Sequence, residues 1–519
     1  MDVAIDRQKA MERRDFNYYE ARARDVKWED ITSCEDNAEI LQRLRDQDTS
    51  FDAIRITDEA DEVRDFIAEE GDDLGWLGYF VGKSKYLKDL DVNSWGERQH
   101  IEAFIEGINR NQSIETLYIG MDLEGRVGGE IFQSLRPFFR NNHNRLAQLG
   151  LNFEVGPECT ESIVLTLGTR RYPSLKTLHF EGCHIGDDSF AGIATALGIQ
   201  PQLEEMDFEN NNIGLMGCIA LGDTMRGWGA SNLKTLDLSS NEIDDQGLQA
   251  LVAGMTNTKL EELYLSDNLI TAVGLRSLST YLQSESCCLN TLNFFGFNLG
   301  DEGAVVLAGG LRGNKSLRHL YFDPNESNIT DVGWAAFSKV LCDPSSINST
   351  YLSNHNIVTI GDDDAPLDIR QYLELNVHPH PAMNKIIRSH PDFDIKPFFQ
   401  WKLKLIPVVI NWFESCRSHM LANDLGESIQ RQSLQNRELS ALYKFVRGMP
   451  SLTVISYWQQ FVMNAQAKRR RIDDERRRLE DERRRLYYDE EAAWLRLGGR
   501  PRSEGSSTVV SGSKRMRHE

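Results

Sequence analysis

Few residues in this chain combine the type and spacing that chemistry requires, and none of the combinations is complete. The stretch GYFVGKS, Gly78 to Ser84, ends like a phosphate-binding loop, in which backbone amides cradle a di- or triphosphate. Such a loop needs glycine five residues before Gly82, and Leu77 stands there, so no nucleotide is expected. His378-Pro379-His380 offers two imidazoles, but no Cys, Asp or further His joins them at ligand spacing, and an exposed turn is the simpler reading. Neither a Gly-x-Ser-x-Gly nor a His-Glu-x-x-His pattern occurs. The 8 cysteines are scattered, with only Cys287 and Cys288 adjacent, which suits reduced, mostly buried thiols rather than a disulfide framework or a metal knuckle. No catalytic, cofactor-binding or metal-ligating residue is therefore expected, and the chain reads as a non-enzyme.

What does recur is a set of carboxylates and aromatics at fixed spacing, and the spacing comes from a repeat. The stretch LKTLDLSSNEIDDQGLQAL, Leu233 to Leu251, has relatives opening at Leu175, Leu203, Leu260, Leu289 and Leu317, the last with an insertion after Asn325. Looser copies open at Phe51, Leu87, Ile114, Leu146 and Ile347. Eleven units with a period of about 30 residues predict a solenoid. In one unit Leu236 and Leu238 point to one side of a short strand while Thr235, Asp237 and Ser239 point to the other. Asn241 falls at the turn, where its amide can bond unpaired backbone groups. Leu248 and Leu251, three apart, suit a helix that buries one stripe. Strands stack at about 4.8 Å and helices at about 10 Å, so the array must bend with its strands inside.

The pattern LxxLxLxxN, followed by an apolar residue and Gly247, resembles the leucine-rich repeat, and the long period with a full helix resembles its ribonuclease-inhibitor-like class. The resemblance covers residues 50 to 361. It implies an α/β fold, a leucine-rich-repeat solenoid shaped as a horseshoe with parallel strands on the concave face and helices on the convex face. Cys183, Phe297 and His355 stand in the Asn slot of three units.

Residues 1–49 are expected to form an N-terminal cap with a frayed start, because an open solenoid end needs cover. Residues 362–465 are aromatic-rich and helix-periodic and read as a C-terminal helical module. Around ELSALYKFVRGMP, from Glu438, this region is similar to uncharacterised leucine-rich-repeat proteins of microalgae. Residues 466–497 carry one apolar residue per heptad, Ile472, Leu479 and Leu486, with opposite charges at i,i+4 such as Asp473 and Arg477. A coiled coil wants two apolar positions per heptad, so a solvated single helix is favoured over an oligomerising coil. Residues 498–519 read as a disordered tail.

The formal net charge is −21. From Lys468 to Glu519 there are 16 Lys+Arg and 11 Asp+Glu, so the tail is +5 and the rest of the chain −26. That balance disfavours nucleic acid, except through the Arg-rich tail, and favours a basic protein or basic peptide segment as partner. Neither a leader nor an apolar run of membrane-spanning length is evident, and the expected location is the cytoplasm, with the nucleus an alternative through Lys468-Arg-Arg-Arg471. No small-molecule substrate is indicated, and the oligomeric state is open.

In the nine units opening from Leu87 to Leu317, the outward strand positions include ten acidic residues: Asp89, Asp91, Glu181, Glu205, Asp207, Glu209, Asp237, Glu262, Asp267 and Asp323. None of these positions holds Lys or Arg, although Lys88, Lys176, Lys234 and Arg318 line one edge. Tyr264, Phe295 and Tyr321 stand outward in three consecutive units. Exposed aromatics among carboxylates suit a hot spot for a basic partner, unless the helical module folds back over them. The expected function is thus a protein-protein interaction scaffold. The alternative is a regulatory role resembling the Ran GTPase-activating protein, whose acidic tail differs from this basic one. An immune receptor of the NOD type would need an ATPase domain, of which the sequence shows no motif.

Overall fold

The computed structural model describes residues 14–390, apart from 58–64, 68–72, 96–99, 121–124, 228–231, 362–364 and positions 142, 144, 170, 201, 257, 297, 326 and 379. The chain divides into two compact units, Met1–Pro391 and Asp392–Glu519, and the described residues all fall in the first. The stretch from Glu438, the heptads and the basic tail lie outside the described residues.

The first unit is built on one parallel sheet. Its strands are β1 Ala53–Thr57, β2 Asp65–Ile67, β3 Asp89–Val92, β4 Thr116–Ile119, β5 Gln148–Leu151 and β6 Thr177–Phe180. They continue as β7 Glu205–Asp207, β8 Thr235–Asp237, β9 Glu262–Tyr264, β10 Thr291–Asn293, β11 His319–Tyr321 and β12 Thr359–Ile360. From β3 to β12 spatial order follows chain order, with β1 beside β3 and β2 on the outer edge. Most of the crossovers are helical, and a uniform right-handed sense puts those helices on one side of the sheet.

The alternation expected for each unit is present. In β8 Leu236 is fully buried, while Thr235 and Asp237 are half-buried on the other side. Leu233, Leu238, Ile243, Leu248 and Leu251 join it in one continuous core that also takes in the equivalent residues of the neighbouring units. The helices that follow, such as Asp245–Met255 and Leu215–Gly227, approach closely where glycine removes the side chain. A Cβ on Gly107 would lie 1.8 Å from the Gly78 carbonyl oxygen, so Ile101–Arg110 packs on Leu74–Lys83 backbone to backbone.

Two hydrogen-bond systems tie successive units together. Asn241, in the turn slot, donates from Nδ2 to the carbonyls of Phe208, Leu238 and Ser239 and accepts at Oδ1 from the Ile213 amide. Asn211 and Asn268 repeat this pattern one unit to either side. Cys183 substitutes with its thiol, bonding the Leu151 carbonyl at 3.2 Å. In alternate units a carboxylate caps the next unit's helix: Asp187 accepts from the amides of Gly214, Met216 and Gly217, Asp245 from Thr271, and Asp301 from Thr330 and Gly333. Anionic oxygens at a helix N-terminus satisfy orphan amides and complement the dipole.

The ends depart from the sequence reading. The 36-residue interval between Phe51 and Leu87 exists because the unit contains a second strand, β2, which the sequence reading did not include. Its Asp65 is buried and accepts from Nε and Nη2 of the Arg55 guanidinium, one on each carboxylate oxygen. At the other end Ile347–Tyr351 is a helix rather than the opening of a unit, and the last strand follows Ile357. Asn354 explains the shift: it donates to the carbonyls of Leu311 and Asn314 and accepts from the Ile357 amide. Asn314 and Asn111 do the same just before Leu317 and Ile114. His355 is therefore not in the turn slot of a repeat, and Phe297 lies outside the described residues.

Residues 14–45 pack against the first array helix, Leu74–Lys83. Tyr19 donates to Asp73 at 2.7 Å, and Phe16 and Tyr19 meet Tyr79 and Trp76 ring to ring at 5.0 Å. At the far end helices Leu367–Val377 and Pro381–Ser389 belong to the same compact unit as the array.

Candidate protein-binding face

Strand register turns the outward residues into columns across the sheet. One column runs Asp91, Tyr118, Gly150, His179, Asp207, Asp237, Tyr264, Asn293, Tyr321. The column before it holds Asp89, Thr116, Gln148, Thr177, Glu205, Thr235, Glu262, Thr291 and His319. Glu181, Glu209, Ser239, Ser266, Phe295 and Asp323 follow just past the strands.

The acidic residues converge at the middle. Carboxylate oxygens of Asp207, Glu209 and Asp237 lie within 4.8 Å of one another. Asp207 also meets His179 Nδ1 at 3.3 Å. Burial, reinforced by Asp237 and Asp207, pushes the Glu209 carboxyl above its usual range. Burial does the same to Asp237, partly offset by the hydrogen bonds it accepts from Ser239. His179 is shifted up mainly by its bond to Asp207, against burial, with Glu205 adding to the rise. Like charges crowded in a half-buried place are costly to ionise, and an incoming cation relieves that cost.

Three oxygen donors are the kind a hard divalent cation takes, but such an ion wants six or more ligands. One oxygen of Asp207 already accepts from the Glu209 amide, and one of Asp237 from the Ser239 amide. The cluster therefore reads as a charged patch.

The three lysines of the basic edge are paired within the chain. Lys176 and Lys234 both bond Glu204, at 2.7 and 2.8 Å, and Lys88 faces Glu115 at 3.6 Å. These two lysines hold the Glu204 carboxyl down to about 2. Sequence reasoning counted the lysines and missed Glu204, because the partner sits in the adjacent unit about 30 residues away.

The aromatics divide between two columns. Tyr264 and Tyr321 share one, separated by Asn293, while Phe295 stands in the next and is 38% exposed. Tyr264 donates to Glu262 Oε2 at 3.2 Å, and Tyr321 stacks on His319 with ring centroids 5.9 Å apart and planes 8° from parallel. His319 lies two residues before Tyr321 on the same strand, so parity alone puts both rings on this face, and the sequence reading did not single it out. Asp267 lies off the strands, in a left-handed turn position with φ 51° that matches Asn210 and Ser240 in the preceding units. Glu205 and Glu262 flank the central column two strands apart.

Family models described as Leucine Rich repeat match residues 229–252 and 256–279, and a further one, described as Leucine Rich Repeat, matches 174–193. The ribonuclease inhibitor of Sus scrofa is 32% identical over 162 residues, 26% of this chain and 35% of that protein. This chain carries a leucine-rich-repeat solenoid of the ribonuclease-inhibitor-like class. The ribonuclease inhibitor of Mus musculus is 35% identical over 108 residues, 20% of this chain and 23% of its own. The mouse NACHT, LRR and PYD domains-containing protein 5 is 25% identical over 291 residues, 55% of this chain and 24% of that one. The leucine-rich-repeat chain thus spans about a third or less of the length of these relatives. Leucine-rich-repeat arrays are typically protein-interaction scaffolds, and among the described residues no helix is long and apolar enough to cross a membrane.

Proposed function

We propose that this array is a protein-recognition scaffold whose sheet face binds a basic protein or a basic peptide segment. One observation carries the reading: the central carboxylates of Asp207, Glu209 and Asp237 are packed within 4.8 Å on a face whose outward positions from β3 to β11 hold no Lys or Arg, the Arg55 of β1 being paired with Asp65. Complementary charge of this kind steers encounter and rejects acidic partners, while exposed aromatic anchors supply the contact area. Tyr264, Phe295 and Tyr321 fill that second role, with Glu205, Glu262 and Asp267 extending the acidic surround. The name of two relatives, ribonuclease inhibitor, supports the reading, since inhibiting an enzyme is itself protein recognition.

The test is calorimetric titration of a ten-residue peptide carrying five lysines into the full chain and into an Asp207→Asn, Asp237→Asn variant. A loss of at least about tenfold in the variant, with affinity falling steeply as salt rises, is expected. Affinity should also fall as pH drops, because Glu209 and Asp237 take up protons early and His179 gains a charge, all in the same direction. Equal binding to both proteins removes this reading.

A further inference from the structure

We infer that the segment β9 to β11 of this face is an arginine slot: a partner's guanidinium lies between the Tyr264 and Tyr321 rings, above Asn293, with Glu262 at its edge. This deepens the basic-partner reading and rests on it. Register puts Tyr264, Asn293 and Tyr321 side by side on three adjacent strands. Neighbouring strands are about 4.8 Å apart, so the two tyrosines stand about 9.5 Å apart with the short Asn293 side chain between them. A cation midway is then about 5 Å from each ring, inside the ~6 Å reach of a cation–π contact on both sides.

Both walls are held in place. Tyr321 lies parallel to the ring of His319, two residues earlier on the same strand, whose Nδ1 meets Thr359 Oγ1 at 3.1 Å. His319 stays neutral near pH 7, since burial and the neighbouring Arg318 lower its pKa, so it adds no charge to repel a cation. Tyr264 is oriented by its bond to Glu262 Oε2, and burial together with Glu262 pushes that phenol up to about 12, so it remains a donor. The bond leaves the other Glu262 oxygen to accept from the edge of a guanidinium. Asn293 Oδ1 accepts from Ser266 Oγ at 3.0 Å and from the Phe295 amide at 3.1 Å, which fixes the floor of the slot and leaves Nδ2 to donate to a main-chain carbonyl of the partner.

Arginine fits where lysine does not. A guanidinium presents two flat faces to two rings while its edge N–H groups reach a carboxylate, whereas an ammonium is a compact, strongly hydrated point charge. An acidic patch alone would not discriminate between them. Tyr264 and Tyr321 are partly exposed, so replacing them leaves the core intact.

The experiment measures fluorescence anisotropy of two labelled peptides of equal length and charge, one with arginines and one with lysines, against the full chain. The arginine peptide is expected to bind about tenfold more tightly, from two exposed ring contacts. Tyr264→Leu and Tyr321→Leu should each reduce that preference, and together abolish it. Tyr264→Phe, which keeps the ring, should retain most of it, and Asp237→Asn should weaken both peptides alike. Equal affinity of the two peptides for the unaltered chain, or a preference that survives the double leucine variant, overturns the arginine slot. In that case lysine-peptide binding that still falls with Asp237→Asn leaves the basic-partner reading standing. If neither peptide binds, both readings fall.

Discussion

Replacing Asn241 by alanine tests the ladder that joins the units. The side chain is 6% exposed and makes four hydrogen bonds, but their loss is unequal. The Phe208 carbonyl keeps Asn211 Nδ2, the Leu238 carbonyl keeps Asn268 Nδ2, and the Ser239 carbonyl keeps the Asn210 amide. The Ile213 amide has Asn241 Oδ1 as its acceptor, at 2.9 Å. One orphaned buried N–H costs about 1–3 kcal/mol, and three carbonyls that each lose a second donor add a smaller amount, so about 3 kcal/mol is expected in all. Each 1.4 kcal/mol is tenfold, so hydrogen exchange at the Ile213 amide should speed up by about a hundredfold. Exchange is the right assay because a repeat array opens locally and a single global midpoint would blur the effect. Asn241→Cys should leave Ile213 exchange about as fast as alanine does, since the Cys183 thiol in the same slot replaces the donor to the Leu151 and Glu181 carbonyls and not the acceptor. The reasoning fails if Ile213 exchange is unchanged in the alanine variant, or if cysteine restores it.

Three further outcomes are expected. Asp187→Ala removes an acceptor from three amides at the start of helix Leu215–Gly227 and should destabilise that unit by about 1–2 kcal/mol, with faster exchange there than in the unit before it. Gly107→Ala places a Cβ against the Gly78 backbone, which cannot rotate away, so a loss of about 3 kcal/mol or more in denaturant unfolding is expected, where an ordinary helical Gly→Ala change would stabilise. Lys385 is fully buried, donates to the Leu341 and Asn354 carbonyls, and is pushed by burial down to about 7, with Cys342 and His355 as its titratable neighbours. Because the unfolded lysine titrates near 10.4, the unfolded chain holds more protons between these values. Stability of the end of the array should therefore rise from about pH 7 to about pH 10, and Lys385→Met should remove that rise in exchange measured across helix Pro381–Ser389.

Much of this molecule was written in its period. Leu236 and Leu238 against Thr235 and Asp237 fixed the two faces of a strand, because side-chain direction in a strand depends only on parity. Asn241 marked the turn, since an amide can satisfy donors and acceptors together where the backbone leaves the sheet. The absence of charge on the buried side and the row of carboxylates on the other followed from the same spacing. The repeat pattern misplaced the start of the last unit at Ile347; Asn354, three residues before Ile357 as Asn314 is before Leu317, carried the right start and went unused because it lies outside that pattern.

Tertiary structure alone decided the rest, because it depends on which residues of different units become neighbours. Asp207, Glu209 and Asp237 come within 4.8 Å only through the register of β7 and β8. Glu204 meets Lys176 and Lys234 from units on either side, and Asp187 caps a helix in the unit after its own. A sequence specifies each unit's faces locally, whereas charge pairing, ring stacking and capping between units act across about 30 residues of chain, at distances that only the stacked sheet sets.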